Sequence, residues 1–467
     1  MAEINNIPKF NKTDKMIWGM ASFGTSLLAG VYAAMLVIFF HVYLALDPIL
    51  IAIAAIIYAV WNALNDPLFG FVSDSTKGKR GRRIPYMKFT APFLALTFIA
   101  IWFVPINWSD FAIFWWMLIT MLLFDTCYTI IVLVYYALLP ELTEDDRERG
   151  ELQKYLSLFY LLGAVLGFLI PDMLRPKAGE ISLFPLYVGM IVIGIIGAIC
   201  TIITTLRFKE RPEFTQVDKP LGLVDSVRYT FKSKAFIILT IANFMSIFLQ
   251  QILLSFLFYL ADYVMKAPAI LLLIALFAGL IIGTFIANIL ANKLGVLRAN
   301  QFLLVVGGIP LILLPFIPLS FIYLSLFFAG LGLSGPLVLT NVLFAQVTDE
   351  DETKSGVRRE ASFFGTNAMI TKPAQSVAIA MGPLLLALAG FRTGGKIILD
   401  QPESAIFMIK IIIGLIPGIA MILGAAILLL FPLKGQYLKN VQEKVLVMHT
   451  EKQSKLKAKL KETKKLD

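Results

Sequence analysis

Apolar residues run through this chain in stretches of roughly 20 or more, separated by short polar breaks, which is the length an α-helix needs to cross about 30 Å of hydrocarbon. Apolar and polar positions do not alternate with the strand period, so the pattern points away from an outer-membrane barrel. Read against prolines, caps and charge breaks, the windows predict about twelve spans. They lie near 16–45, 48–72, 84–105, 110–139, 152–172, 183–206, 235–262, 268–291, 300–317, 320–347, 360–391 and 404–432. The expected fold is therefore an all-α integral membrane bundle.

Composition agrees: of 467 residues, 58% are hydrophobic and 15% charged, with a mean hydropathy of +0.80. A water-soluble domain does not tolerate those values. The formal charge of +10 resembles a nucleic-acid signature until the cations are located. They sit in loops: Lys77, Lys79, Arg80, Arg82 and Arg83 after span two, Arg147 and Arg149 after span four, a run from Arg207 to Lys234 after span six, and Arg358 with Arg359 after span ten. The alternate loops are nearly free of them, the main exceptions being Arg175, Lys177, Lys266, Arg392 and Lys396. Excess Lys and Arg marks cytoplasmic loops, so both termini are expected in the cytoplasm and no nucleic-acid partner is expected.

The opening residues are polar and mixed in charge, which predicts no secretory signal peptide. Cys127 and Cys200 both fall in apolar runs and read as packing residues. The longest internal connection divides the spans six and six, predicting a cytoplasmic N-terminus (1–15), a first half (16–206), a cytoplasmic linker (207–234), a second half (235–432) and a basic cytoplasmic tail (433–467). "GAVLG" at 163–167 has the GxxxG spacing that lets helices approach closely.

An ionisable group at membrane depth needs a reason. His41, Lys88, Asp262 and Lys410 lie near span ends, where a polar side chain is expected to reach the interface. Asp66, Asp125 and Lys372 lie well inside spans. Asn62 and Asp66 are one helical turn apart with Asn65 on the same face, and Asp125 and Thr129 have the same spacing on span four. Both spans run in the same direction, so the two sets are expected at similar depth. Carboxylates, amide oxygens and a hydroxyl gathered there suit Na⁺, or a carboxylate alone suits a proton. Lys372, in the opposite half, would face an acid across a central cavity. Pro67 frees a backbone carbonyl beside the acids. No nucleotide-binding loop, zincin pattern or nucleophile–base pair is present in the sequence, so an enzyme is not expected.

"GFVSDSTKGKR" at 70–80, with Gly70, Asp74, Gly78, Lys79 and Arg80, resembles the loop after span two in the major facilitator superfamily. "WNALNDPLFGFVSDSTKGKRGRRIPYM" at 61–87 is similar more specifically to melibiose permeases, of the glycoside/pentoside/hexuronide:cation symporter branch. The likeness continues through "CYTIIVLVYYALLPELTEDDRERGEL" at 127–152, "AQVTDEDETKSGVRREASF" from 345, and "TKPAQS" ending at 376.

The resemblance implies a two-half transporter with a cation site at Asn62, Asn65, Asp66 and Thr129, Lys372 beside it, and a cytoplasmic gate of Arg149, Asp349 and Arg358 with Arg147 close by. Lys79, Arg80, Arg82 and Asp74 would help hold that face closed. It departs from the family at Asn62, where the first of two paired acids is expected; Asp125 is placed to supply the missing charge. It departs again at Ser26 and Val132, where melibiose permeases carry sugar-gripping acids, while Tyr128 is kept and Tyr136 stands for a nearby aromatic. The branch also contains sodium-dependent lysophosphatidylcholine transporters.

The sequence is thus read as a monomeric, cell-membrane secondary transporter. It would couple Na⁺ or H⁺ to symport of a small organic solute such as a glycoside, by alternating access and without a resident cofactor. The alternatives are a lysolipid or other amphipathic-solute transporter, an uncoupled uniporter of the same fold, and a non-transporting receptor or scaffold.

Overall fold

Side-chain caps start several of the helices. Asn11 accepts from the Asp14 amide at 2.8 Å and Asp14 returns a bond to the Asn11 amide, opening α1 (Lys12–Ile38). The side chains of Asp47, Ser109 and Ser233 accept from the first-turn amides of Ile49, Ala112 and Phe236, opening α2 (Pro48–Ser75), α4 (Asp110–Leu142) and α7 (Lys234–Tyr259). The computed structural model describes residues 10–76, 83–105, 107–143, 146–177, 182–208, 230–355 and 360–448. The remaining helices of the first half are α3 (Ile84–Trp102), α5 (Asp146–Leu174) and α6 (Phe184–Arg207). The second half continues with α8 (Ala269–Leu294), α9 (Val296–Leu313), α10 (Ile322–Ser355), α11 (Glu360–Thr371), α12 (Pro373–Leu388), α13 (Glu403–Lys410) and α14 (Ile416–Leu428). Among the described residues there is no strand.

Among the described residues, eleven helical segments are long and apolar enough to cross a membrane. The span expected at 360–391 is the exception, because it is built from two shorter helices, α11 and α12, that meet at Lys372. Pro373 has no N–H to offer the carbonyl of Met369, so the hydrogen-bond ladder lapses there. Lys372 itself stays helical at φ −58° and ψ −39°, and its amide still bonds the carbonyl of Ala368 at 2.9 Å. The break is therefore one residue wide. By contrast α2 runs through Pro67 as one helix. The span expected from 300 begins earlier, at Val296, because Gly295 alone joins α8 to α9 at φ +85°, a backbone that side-chain-bearing residues rarely adopt.

In the first half α1 packs on α5 and α6, α3 on α4 and α6, and α2 on α4. The second half repeats these pairings: α7 packs on α12 and α14, α9 on α10 and α14, and α8 on α10. The GxxxG segment serves the pairing of α1 with α5. A Cβ on Gly167 would stand 2.7 Å from the carbonyl of Leu27 on α1, so only glycine permits that approach.

The halves meet along α1 against α7, along α2 against α11 and α12, and more sparsely where α5 meets α8. One end of the bundle carries both described chain ends. There Phe10 packs on Phe208, and a helix over 435–448 buries Val441 and Val445 while Tyr437 donates to Glu350 at 2.7 Å. The opposite, far end carries the loops after α1, α3, α5, α7, α9 and α12.

Two expectations about span-end residues are corrected here. His41 and Asp262 do not reach for a lipid interface: His41 is 1% exposed and lies 2.9 Å from the Tyr259 hydroxyl, and Asp262 is gripped by Arg175. Each sits in a π-helical turn, Phe39–Tyr43 after α1 and Leu260–Met265 after α7, on the side facing the other half. Proximity to a span end says nothing about which face a side chain occupies, and the inward face offered each a polar partner. Lys88 is exposed and Lys410 half-buried.

Candidate functional site

Tyr58, Asn62, Asn65 and Asp66 lie along one face of α2 at three- and four-residue spacing, and that face meets Asp125 and Thr129 on α4. Three bonds to the carboxylates cross between the helices, two at Asp125 and one at Asp66. Tyr58 donates to Asp125 Oδ1 at 3.1 Å, and Asn65 Nδ2 donates to Asp125 Oδ2 at 2.8 Å. Thr129 donates to Asp66 Oδ1 at 3.1 Å. The two sets thus share one depth.

Lys372 completes the group from the second half. The break between α11 and α12 places its ammonium 2.5 Å from Asp66 Oδ1, the oxygen that also accepts from Thr129. The two carboxylates differ in environment: Asp66 and Lys372 keep 23% and 25% of their side-chain surface exposed, whereas Asp125 is buried and takes its hydrogen bonds from neutral donors. Two carboxylates face one ammonium, so the cluster carries one negative charge in excess when all three are ionised.

Two oxygens in this cluster have no donor. Asn62 and Asn65 are 1% and 0% exposed, and the Oδ1 of each is buried without a hydrogen-bond partner. Leaving such an acceptor unsatisfied costs about 1–3 kcal/mol, so a bound cation would be favoured by both. With Asp66, Asp125 and Thr129 they form an all-oxygen set, the donor type that suits a hard cation and not a soft transition metal. Groups of three or more His, Cys, Asp or Glu able to hold a metal are absent among the described residues.

The residues expected around a solute divide. Ser26 is buried, donates to the carbonyl of Phe23 at 3.1 Å, and faces α5, where a Cβ on Gly163 would meet its Oγ at 2.2 Å. Tyr128 and Val132 are half-buried at one-turn spacing on α4, and Tyr136, one turn further, is 44% exposed. Tyr128 lies beside Phe124, whose ring stacks on Tyr32 of α1 at 5.1 Å. Beyond the expected set, Asn243 of α7 donates to Asn367 of α11 at 3.3 Å, four residues before Thr371 and the Lys372 break.

Of the expected gate, Gly70 sits on α2 beside Leu133, Arg149 spans the α4–α5 turn by donating to the Thr143 carbonyl at 2.8 Å, and Asp349 is half-buried on α10. Gly78, Lys79, Arg80, Arg82 and Arg358, and the side chains of Asp74 and Arg147, lie outside the described residues.

Tyr58 is a contact that sequence reasoning missed. Its signal was available, since it stands one turn before Asn62 on the same face, but a tyrosine in an apolar run reads as core until the carboxylate opposite is known.

Comparison with known proteins gives three findings. Residues 17–435 match a family model described as MFS/sugar transport protein. The chain is 27% identical over 428 residues to the sodium-dependent lysophosphatidylcholine symporter 1 of Xenopus tropicalis, covering 82% of this chain and 79% of that one. It is 23% identical to an uncharacterized symporter of Synechocystis, covering 93% of this chain and 96% of that one. Among solved structures, the nucleoside transporter NupG superposes with a TM-score of 0.63 at 15% identity, covering 90% of this chain and 100% of that one, a likeness of fold.

Proposed function

The chain belongs to the MFS/sugar transport protein family, and from that premise we propose that it couples a monovalent cation to the symport of an organic solute. As a secondary transporter of the major facilitator type it is a multi-pass protein of the cell membrane and not an enzyme. The end bearing both chain ends is taken as cytoplasmic, on the strength of its basic loops. Both halves and the site between them lie in one chain, so a monomer suffices.

The observation that carries the coupling is the shared hold on Asp66, with Thr129 of its own half and Lys372 of the other on one oxygen, beside the unpartnered Asn62 and Asn65 oxygens. One Na⁺ would neutralise the excess charge of the cluster and satisfy both amide oxygens; a proton on Asp66 would neutralise the charge alone. Either event weakens the Lys372 contact between halves and so favours one conformation over the other. A ligand shifts an equilibrium only by its preference for one state, and this contact supplies the preference.

Two solute classes have support. A small organic solute such as a glycoside is supported by the description of the matching family. A lysolipid or other amphipath is supported equally, by the lysophosphatidylcholine symporter relatives and by the apolar and aromatic run Tyr128, Val132 and Tyr136, which offers no carboxylate to a sugar. Thermal stabilisation of the purified protein by sugars, nucleosides and lysolipids, with and without Na⁺ and across pH, separates them. Stabilisation by a lysolipid that grows with Na⁺ selects the second class. Uptake into liposomes that never exceeds equilibration under any ion gradient would replace symport by uniport.

A further inference from the structure

Arg175, just past the end of α5, is the most enclosed charge at the far end, with 1% of its side chain exposed. Its Nε and Nη2 donate to Asp172 Oδ1 of its own half at 2.9 and 2.8 Å. Its Nη1 and Nη2 reach across to Asp262 of the second half, the latter at 2.8 Å from Oδ1, and the guanidinium lies 4.4 Å over the ring of Phe258. Lys177 adds a bond to Asp172 at 3.1 Å, so the cluster of two acids and two bases is neutral.

The same stretch of seam is closed by other pairs. His41 of the first half contacts the Tyr259 hydroxyl at 2.9 Å and stacks on Phe391, from the loop after α12, at 5.5 Å. Phe391 also packs against Tyr263 at 5.0 Å. Deeper in the seam Ser255 of α7 donates to the carbonyl of Ala33 on α1 at 3.1 Å. The first spans of both halves end here in π-turns, Phe39–Tyr43 and Leu260–Met265, which carry His41 and Asp262. π-turns inside long helices frequently mark functional sites.

We propose that the Arg175–Asp262 pair is the latch that shuts the far side of the solute pathway, and that it must release in the conformation open to that side. The asymmetry of the pair suits this. When the halves part, Arg175 keeps Asp172, its partner within the same half, and only Asp262 exchanges a guanidinium for water. The bond given up is therefore to one carboxylate, both groups regain solvent, and the charged side chain never stands alone in apolar surroundings. The latch is independent of which solute or cation is carried.

The test uses full-length protein in liposomes with Cys127→Ala and Cys200→Ala, and Ser255→Cys as a reporter, a position 0% exposed in this conformation. A membrane-impermeant maleimide is supplied from the far side. Asp262→Asn, which removes the cross-half charge, is expected to raise the labelling rate roughly tenfold or more, the shift one lost charge-assisted bond brings to a two-state equilibrium. Asp262→Glu, which leaves a cross-half ion pair, is expected to label near the parent rate, and Asp172→Asn, which leaves that pair but removes the partner Arg175 retains on opening, at or below it. Unchanged labelling in a folded Asp262→Asn protein, or an equal rise in Asp172→Asn, overturns the latch. Should Asp262→Asn not fold, Arg175→Gln serves instead, because it removes the charge from the first half's side of the pair; parent-like labelling of that variant would also overturn it.

Discussion

Lys372 of the second half and Asp66 of the first stand 2.5 Å apart, and the lysine reaches that position from the one-residue break between α11 and α12. The contact joins the two bodies that must move apart in transport, and it does so through a carboxylate that also belongs to the candidate cation site. In the proposed symport, coupling and conformation are therefore set by the same atoms.

Asp66→Asn is expected to abolish accumulation driven by an ion gradient while leaving the protein folded, since Thr129 can still bond an amide oxygen. Counterflow or equilibrium exchange of a solute identified by stabilisation should survive better than gradient-driven uptake. Full accumulation in this variant would remove Asp66 from the coupling site.

Asp125→Asn keeps one acceptor oxygen, for either Tyr58 or Asn65, and deletes one of the two negative charges. The half-saturating cation concentration should rise roughly tenfold or more, equivalent to about 1.4 kcal/mol, with little change in solute selectivity. Cation-dependent melting curves measure the first effect and competition among solutes the second. A variant with altered solute preference and unaltered cation dependence would move Asp125 to the solute pathway.

Gly167→Leu should destabilise the first half by about 1–3 kcal/mol, the usual penalty of overpacking, because its Cβ alone would come within 2.7 Å of the Leu27 carbonyl. Detergent-solubilised protein should melt earlier. An unchanged midpoint would mean that α1 and α5 can separate at no cost.

The tail helix over 435–448 offers a pH test away from the membrane. The hydrogen bond to Glu350, and after it burial, hold the Tyr437 hydroxyl above its ordinary value of 10.0. A raised pKa means that the neutral phenol is the form the docked helix prefers. Its contribution is complete below the free tyrosine value and is lost as pH rises through the raised one. A spin label at the exposed Leu446 should stay ordered at neutral pH and loosen only in strong alkali, whereas Tyr437→Phe should be looser already at neutral pH. Identical mobility in the two proteins would show that Val441 and Val445 dock the helix without the tyrosine.

What the sequence by itself determined is whatever a bilayer forces on any chain. Each span must be long and apolar, because backbone groups in hydrocarbon have to be satisfied within the helix, and so the spans were legible from hydropathy alone. The spacing of Asn62, Asn65 and Asp66 was legible for the same reason, since polar side chains at that depth need each other. Tertiary structure decided what local sequence does not encode: which face meets which partner. A proline at 373 fixes where a helix ladder must lapse, but only the packed halves aim Lys372 at Asp66 across 306 positions of chain. His41 and Asp262 looked like span-end residues seeking water, and Arg175 like a stray loop cation, until the two halves closed around them. A buried charge takes the partner that the fold brings within hydrogen-bond reach, and for Arg175 that partner lies 87 residues away, on the opposite half.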